Sequence, residues 1–281
     1  MQPIQWFPGH MTKALRMMED NVRLCDGFVY VLDARAVFGC INFKLDELLR
    51  GKPTLYLINK ADTVEDADIQ RITAHLKAEG KRVISTVGTT LKDGKAVYNA
   101  IIDMFSEKLE AKKAKGITKT LRVMVCGVPN TGKSTIINSL AGRKQAVTGN
   151  KAGVTKGKQW IKLGYVELLD TPGTMPPSFE NQTYAHHLAY IGSINDAILD
   201  AESLALDLLE ELSSTANDAI KKRYGVEPRE KPIDTFDAIC SARGFILKGG
   251  EYDYERCAKA VIDDFRKQRL GKICLETRPI N

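Results

Sequence analysis

The chain has 281 residues, 43% hydrophobic and 27% charged, which excludes a disordered polymer and suffices for roughly two domains. No apolar run reaches the ~20 residues of a bilayer-crossing helix, and Met1-Gln2-Pro3-Ile4-Gln5-Trp6 lacks the basic-then-apolar layout of a signal peptide, so a cytoplasmic protein without membrane association is expected. The net charge of +6 is divided: 27 Lys+Arg face 17 Asp+Glu over residues 1–174, whereas 14 face 18 over residues 175–281.

In chain order, Thr12–Leu24 places Leu15, Met18 and Val22 on one helical face. Strands are predicted at Phe28–Asp33, Thr54–Asn59 and Arg82–Thr86, followed by a helix over Lys95–Glu110 that aligns Val97, Ile101, Ile102, Phe105 and Leu109. Lys108, Lys112, Lys113, Lys115, Lys119 and Arg122 then stand against the single acid Glu110, a run that suits either a solvated helix end or a surface meeting RNA phosphates. Strands at Leu121–Cys126, Gln159–Leu163 and Val166–Asp170 complete a pattern that predicts a doubly wound α/β domain over residues 1–176. Beyond Pro176-Pro177, Ile198, Leu199, Leu206, Leu209 and Leu212 recur at helical spacing. Gly225 and Pro228 stop that pattern, and further helices near Asp234–Arg243 and Tyr254–Gln268 predict an all-helical domain over residues 177–281. The six cysteines, Cys25, Cys40, Cys126, Cys240, Cys257 and Cys274, contain no C-x-x-C pair, and buried free thiols are expected.

The chemistry lies in motif order. Gly127-Val128-Pro129-Asn130-Thr131-Gly132-Lys133-Ser134 is a complete phosphate-binding loop between a strand and the helix carrying Ile136, Ile137 and Leu140. Its N–H groups and helix N-terminus, from Asn130 to Thr135, would cradle a β-phosphate; Lys133 would neutralise β/γ oxygens and Ser134 would offer an oxygen to magnesium. Asn59-Lys60-Ala61-Asp62 precedes this loop, although the guanine-reading N-K-x-D motif ordinarily follows it. Asp62 can accept from guanine N1–H and the 2-amino group, donors that adenine lacks, while Asn59 contacts the base and ties it to the phosphate loop, and the stem of Lys60 packs on the ring. Asp170-Thr171-Pro172-Gly173 matches D-x-x-G, with Asp170 reaching magnesium and the Gly173 N–H sensing a γ-phosphate. Thr155, between the two motifs, is the candidate for the other switch threonine, and Ser85-Thr86 falls where a small-residue motif touches the guanine carbonyl. The motifs imply a circularly permuted nucleotide site for GTP or GDP. A P-loop kinase or ATPase, and an RNA-binding scaffold with structural nucleotide, are the competing readings.

On these residues the chain resembles the circularly permuted GTPases, and most closely the bacterial ribosome-biogenesis GTPase A family. The likeness includes Trp6-Phe7-Pro8-Gly9-His10-Met11, Asp33-Ala34-Arg35, Gly153-Val154-Thr155 with Gln159-Trp160, Phe236-Asp237-Ala238-Ile239 and Arg243-Gly244. It implies a GTPase that acts on a precursor of the large ribosomal subunit, meets rRNA and ribosomal proteins, and is stimulated by the particle; the free protein is expected to be a monomer. It also implies an RNA-binding helical domain, with Lys221-Lys222-Arg223 or Arg266-Lys267, Arg269 and Lys272 as local rRNA contacts. Thr174 occupies the place where many GTPases carry a water-orienting Gln, and the family suggests His10 instead; the alternative is that His10 caps a helix or binds RNA. Asn130 matches the asparagine of potassium-stimulated GTPases, or else only shapes the turn.

Overall fold

The structure is a computed structural model that describes residues 3–6, 8–88, 90–114, 120–142 and 159–280. It divides into two compact units. One comprises residues 6–178 together with 274–280, and the other residues 3–5 together with 179–273. These units do not follow a single cut at residue 176, because the chain's last residues return to the first unit and residues 3–5 leave it.

The first unit is built on a six-stranded sheet. Its strands are β1 (Gly27–Asp33), β2 (Thr54–Asn59), β3 (Arg82–Ser85), β4 (Leu121–Cys126), β5 (Gln159–Leu163) and β6 (Val166–Asp170), in the spatial order β3-β2-β1-β4-β6-β5. All neighbours pair in parallel except β5, which runs antiparallel to β6 on one edge. β1 is buried at every position, as expected of a central parallel strand covered on both faces. Val29, Val31, Leu55, Leu57, Val123 and Val125 turn one way, against Val97 and Ile101 of α4 (Leu91–Met104) and Ile136 and Ile137 of α6 (Lys133–Ala141). With each such side chain worth about 1.5–3 kcal/mol on full burial, this layer fixes the register of the strand ends that carry the motifs. Tyr30 and Tyr56 turn the other way and stack at 5.5 Å. This unit also contains α1 (Gly9–Val22), α2 (Phe43–Leu49), α3 (Asp66–Ala78) and α5 (Ser106–Lys113).

The expected helix over Lys95–Glu110 is two helices. Phe105, at φ −119° and ψ 15°, caps α4 and buries its ring beside Gly27, where a methyl group would lie 2.6 Å from the ring. That packing breaks a run whose apolar spacing alone is continuous.

The second unit holds α7 (Gln182–Tyr190), α8 (Ala201–Thr215), α9 (Asn217–Tyr224), α10 (Pro232–Arg243) and α11 (Tyr254–Arg266). Leu204, Leu208, Leu209 and Leu212 of α8 are buried with Phe236 and Ile239 of α10 and Val261 and Phe265 of α11. Ile198 does not begin α8; it lies in a short 3-10 turn, half exposed, and Asp200 caps the helix by accepting from Ser203 N–H. Ile4 belongs here, its N–H donating to Gln182 Oε1 at 2.6 Å.

Candidate functional site

Strand order reverses between β1 and β4, with β2 and β3 on one side and β6 and β5 on the other. In open parallel sheets the crevice at the carboxyl ends of such strands is where ligands bind. The chain places Asp33 at the end of β1, Asn59 at the end of β2, Gly127–Ser134 after β4 and Asp170 at the end of β6.

The phosphate loop and the N-K-x-D segment are hydrogen-bonded to each other. Asn59 Nδ2 donates to Thr131 O at 2.7 Å, and Lys60 Nζ donates to Asn130 O at 2.7 Å. Gly132, at φ 95°, makes the first contact possible, because a Cβ there would stand 2.2 Å from Asn59 Nδ2. Asn130 itself takes a left-handed φ of 61°. Thr131 is fully buried and its hydroxyl donates to Val128 O at 3.1 Å, while Thr135 is half-buried on the first turn of α6. Thr86 joins the group through its backbone, accepting from Ala61 N–H at 3.1 Å and donating to Ile58 O at 2.8 Å. Ser85 ends β3 and is exposed, as is Asp62 in the short 3-10 turn that follows Lys60.

D-x-x-G closes on the same loop. Ser134 Oγ donates to Asp170 Oδ2 at 3.2 Å, Thr174 N–H donates to Gly127 O at 3.3 Å, and a Cβ on Gly173 would lie 2.6 Å from Pro129 Cα. Lys133 Nζ donates to the carbonyls of Gly127 and Val128 at 3.2 and 2.8 Å. Burial pulls the Lys133 ammonium down to about 8, a loss that the nearby Asp170 carboxylate opposes. Burial also pushes the Asp170 carboxyl up, against the pull of Lys133. Each charge is therefore incompletely compensated by the other, which suits a pocket built for phosphate and a cation.

A magnesium ion fits this donor set. Asp170 Oδ1 is buried and has no hydrogen-bond partner among the described residues, and the Ser134 hydroxyl stands beside the same carboxylate. Hard oxygen donors of this kind are what magnesium selects. Thr155 lies outside the described residues.

His10 stands exposed at the start of α1, its ring edge-on to Trp6 at 6.2 Å, and no hydrogen bond or ion pair joins it to the phosphate loop among the described residues. The suggested rRNA-contacting cations are largely engaged within the helical unit. Arg223 and Arg269 bind Asp264, Arg266 binds Asp196 at 2.8 and 2.7 Å, Lys267 binds Asp263 and Lys221 binds Glu227.

One buried group at the site lies outside the nucleotide motifs. Asp33 is fully buried and receives Arg35 Nε at 2.9 Å, Arg35 Nη2 at 2.8 Å and Lys60 Nζ at 2.7 Å. Burial alone would raise its carboxyl, but the Arg35 guanidinium and then the Lys60 ammonium hold it well below the usual range. Asp33 thus orients the lysine of N-K-x-D. An acid ending an otherwise apolar strand at the crevice is the signal that could have revealed it.

Residues 122–233, beginning within the strand that leads into the phosphate loop, match the family model described as 50S ribosome-binding GTPase. A relative from Priestia megaterium named ribosome biogenesis GTPase A is 38% identical over 272 residues, 95% of this chain and 94% of its own length. The chain belongs to the ribosome biogenesis GTPase A family. A second relative of that name, from Thermotoga maritima, is 31% identical across 97% of the chain and 94% of its own length. The crystal structure of GNP-bound YlqF from T. maritima superposes with a TM-score of 0.66 at 28% identity, covering 95% of this chain and all of that one. A GDP-bound structure of the same name gives 0.66 at 27% identity. Membership in the ribosome biogenesis GTPase A family makes the chain a GTPase with the permuted α/β fold, and sets aside the small-molecule kinase and ATPase readings. Among the described residues no helix is long and apolar enough to cross a membrane.

Proposed function

We propose that this GTPase binds GTP at the crevice between β1 and β4, hydrolyses it to GDP, and acts in late assembly of the large ribosomal subunit, whose precursor particle stimulates turnover. The observation that carries the nucleotide reading is the pair of bonds from Asn59 to Thr131 and from Lys60 to Asn130, which joins the base-reading and phosphate-binding segments around one position. The names of the relatives support the ribosomal role.

In this reading Asp62 accepts from guanine, the Thr86 backbone faces the guanine carbonyl beside Ser85, and Lys60 covers the ring. The N–H groups from Asn130 to Thr135 and the α6 N-terminus hold the β-phosphate, and Lys133 leaves its two carbonyl partners for the β/γ oxygens. Ser134, Asp170 and Thr155 hold magnesium, which supplies positive charge at the phosphate oxygens where negative charge develops. Asn130 holds a potassium ion of similar effect. Gly173, seated against Pro129, offers its N–H to the γ-phosphate, and His10 orients the attacking water once the particle orders it. The segment after Gly173 enters the helical unit at residue 179, so gain or loss of that contact repositions the unit that meets rRNA and ribosomal proteins. The protein works in the cytoplasm as a monomer.

The test is retention on large-subunit precursors with a nonhydrolysable GTP analogue against GDP, combined with the GTPase rate with and without particles. Analogue-dependent retention and a raised rate are expected; equal retention in both nucleotides and no rate change overturn the proposal. Exchange of sodium for potassium lowers the rate if Asn130 acts as assigned, and equal rates remove potassium.

A further inference from the structure

The segment after β1, residues 34–40, is buried along its whole length. One end of it serves the base-reading motif directly: Ala34 N–H donates to Asn59 O at 2.9 Å, and Arg35 clamps the Asp33 carboxylate that also holds Lys60. Tyr30 Oη donates to Cys40 O at 3.2 Å and His75 stands edge-on to Phe38, and further bonds reach this segment from the far end of the sequence. Leu275 N–H donates to Arg35 O at 2.9 Å, Cys274 Sγ lies 3.8 Å from Ala34 O, and Gly39 N–H donates to Glu276 Oε2 at 2.8 Å. Glu276 is 1% exposed. A carboxylate buried to that degree is expensive to desolvate, and its bond to a backbone N–H is charge-assisted.

We propose that the segment Cys274–Glu276 is a positioning element of the guanine-reading side of the site, gripping the turn 34–40 at both ends and thereby fixing Asn59 and Lys60. It does not touch nucleotide. The proposal rests on the nucleotide site described above, with Asp62 as the group that reads guanine. Because the base-side contacts are shared by GTP and GDP, loosening the segment weakens both ligands equally and leaves the phosphate chemistry of bound GTP largely intact.

The experiment uses the full chain carrying Glu276→Ala or Glu276→Gln, and a second variant lacking residues 274–281, each measured for GDP and GTP affinity with a fluorescent nucleotide, for single-turnover hydrolysis at saturating GTP, and for melting without nucleotide. Coupling through one packed segment corresponds to roughly 3- to 30-fold in affinity. Glu276→Ala is expected to weaken GDP and GTP alike within that range, with the saturated rate changed less than about twofold, and Glu276→Gln, which keeps an acceptor oxygen, to recover most of the affinity. A lower melting temperature with wild-type affinity overturns the proposal by showing a structural role only, as does equal loss in the Ala and Gln variants. Should Glu276→Ala not fold, wild-type affinity in the shortened chain overturns it. Asp62→Ala is the control. If it leaves affinity unchanged, the guanine-site reading fails; if it weakens binding while both tail variants do not, the tail proposal alone fails.

Discussion

Replacing Asp33 by Asn tests whether the buried charge cluster at the end of β1 organises the sheet unit. Asp33 is fully buried and Arg35 is 3% exposed, so the Asn variant removes the carboxylate that takes two hydrogen bonds from a guanidinium held inside the protein. Removing one partner of such a pair costs about 3–5 kcal/mol, because the remaining charge cannot regain its hydration. Both tryptophans, Trp6 and Trp160, lie in the sheet unit, so fluorescence during urea unfolding reports that unit without interference from the helical one. Asp33→Asn should shift the transition by the stated amount, and adding Arg35→Met should recover about 2 kcal/mol or more, since the pair rather than either charge is what matters. The pH dependence follows from the lowered carboxyl. Its contribution is fully present above the unfolded value near pH 4 and is lost as pH falls through the folded one, so the difference between wild type and Asp33→Asn stays flat from pH 7 to about pH 5 and shrinks below roughly pH 4. A loss under about 1 kcal/mol, or strictly additive losses in the double variant, refutes the reasoning.

Lys133 gives the same sign of slope in a higher pH window, but here the charged form costs stability instead of adding to it. Its ammonium is held at about 8, below its unfolded value of 10.5, so the unfolded chain binds more protons between those values and stability of the nucleotide-free protein rises with pH across that window. Lys133→Met should therefore stabilise the nucleotide-free sheet unit at pH 7 by roughly 1–3 kcal/mol while abolishing GTP binding; fluorescence unfolding and nucleotide titration check the two halves, and a destabilised variant contradicts the assignment. Gly173→Ala drives a methyl group 2.6 Å from the Pro129 backbone, and is expected to lower single-turnover hydrolysis at least about tenfold with GDP affinity within about threefold of wild type. A wild-type rate would show that Gly173 need not sit against the loop. His10→Ala should leave GTP affinity unchanged and reduce only the particle-stimulated rate; unchanged stimulated turnover removes His10 from the chemistry.

What the sequence revealed follows the range of the interactions. Four of the six strands, Thr54–Asn59, Leu121–Cys126, Gln159–Leu163 and Val166–Asp170, have the bounds expected from their apolar runs, and the other two differ by one residue at one end. Strand periodicity is local and the flanking turns delimit it. The phosphate loop was legible because glycine spacing and helix position are set by the ligand's own shape. The break at Phe105 was not, since it depends on Gly27, far away in sequence. Nor was the return of residues 274–280 to the sheet unit: Glu276 meets a backbone N–H 237 positions earlier, and a backbone donor leaves no residue type to mark it. Asp33 was visible as part of Asp33-Ala34-Arg35, yet its hold on Lys60 depends on β1 and β2 lying side by side with Asp33 opposite Asn59.

The exchange of terminal segments between the units bears on how the molecule is made. Ile4 is synthesised long before its hydrogen-bond partner, Gln182, which follows 178 positions later. Residues 274–280 come after the entire helical unit, yet they bind the turn 34–40 of the sheet unit, whose Ala34 N–H donates to Asn59 O. A nascent chain therefore carries every nucleotide motif well before the segment that binds the turn 34–40. Vectorial translation makes this segment a late fastening, so a ribosome that stalls before residue 274 leaves the turn 34–40 without the bonds from Cys274, Leu275 and Glu276.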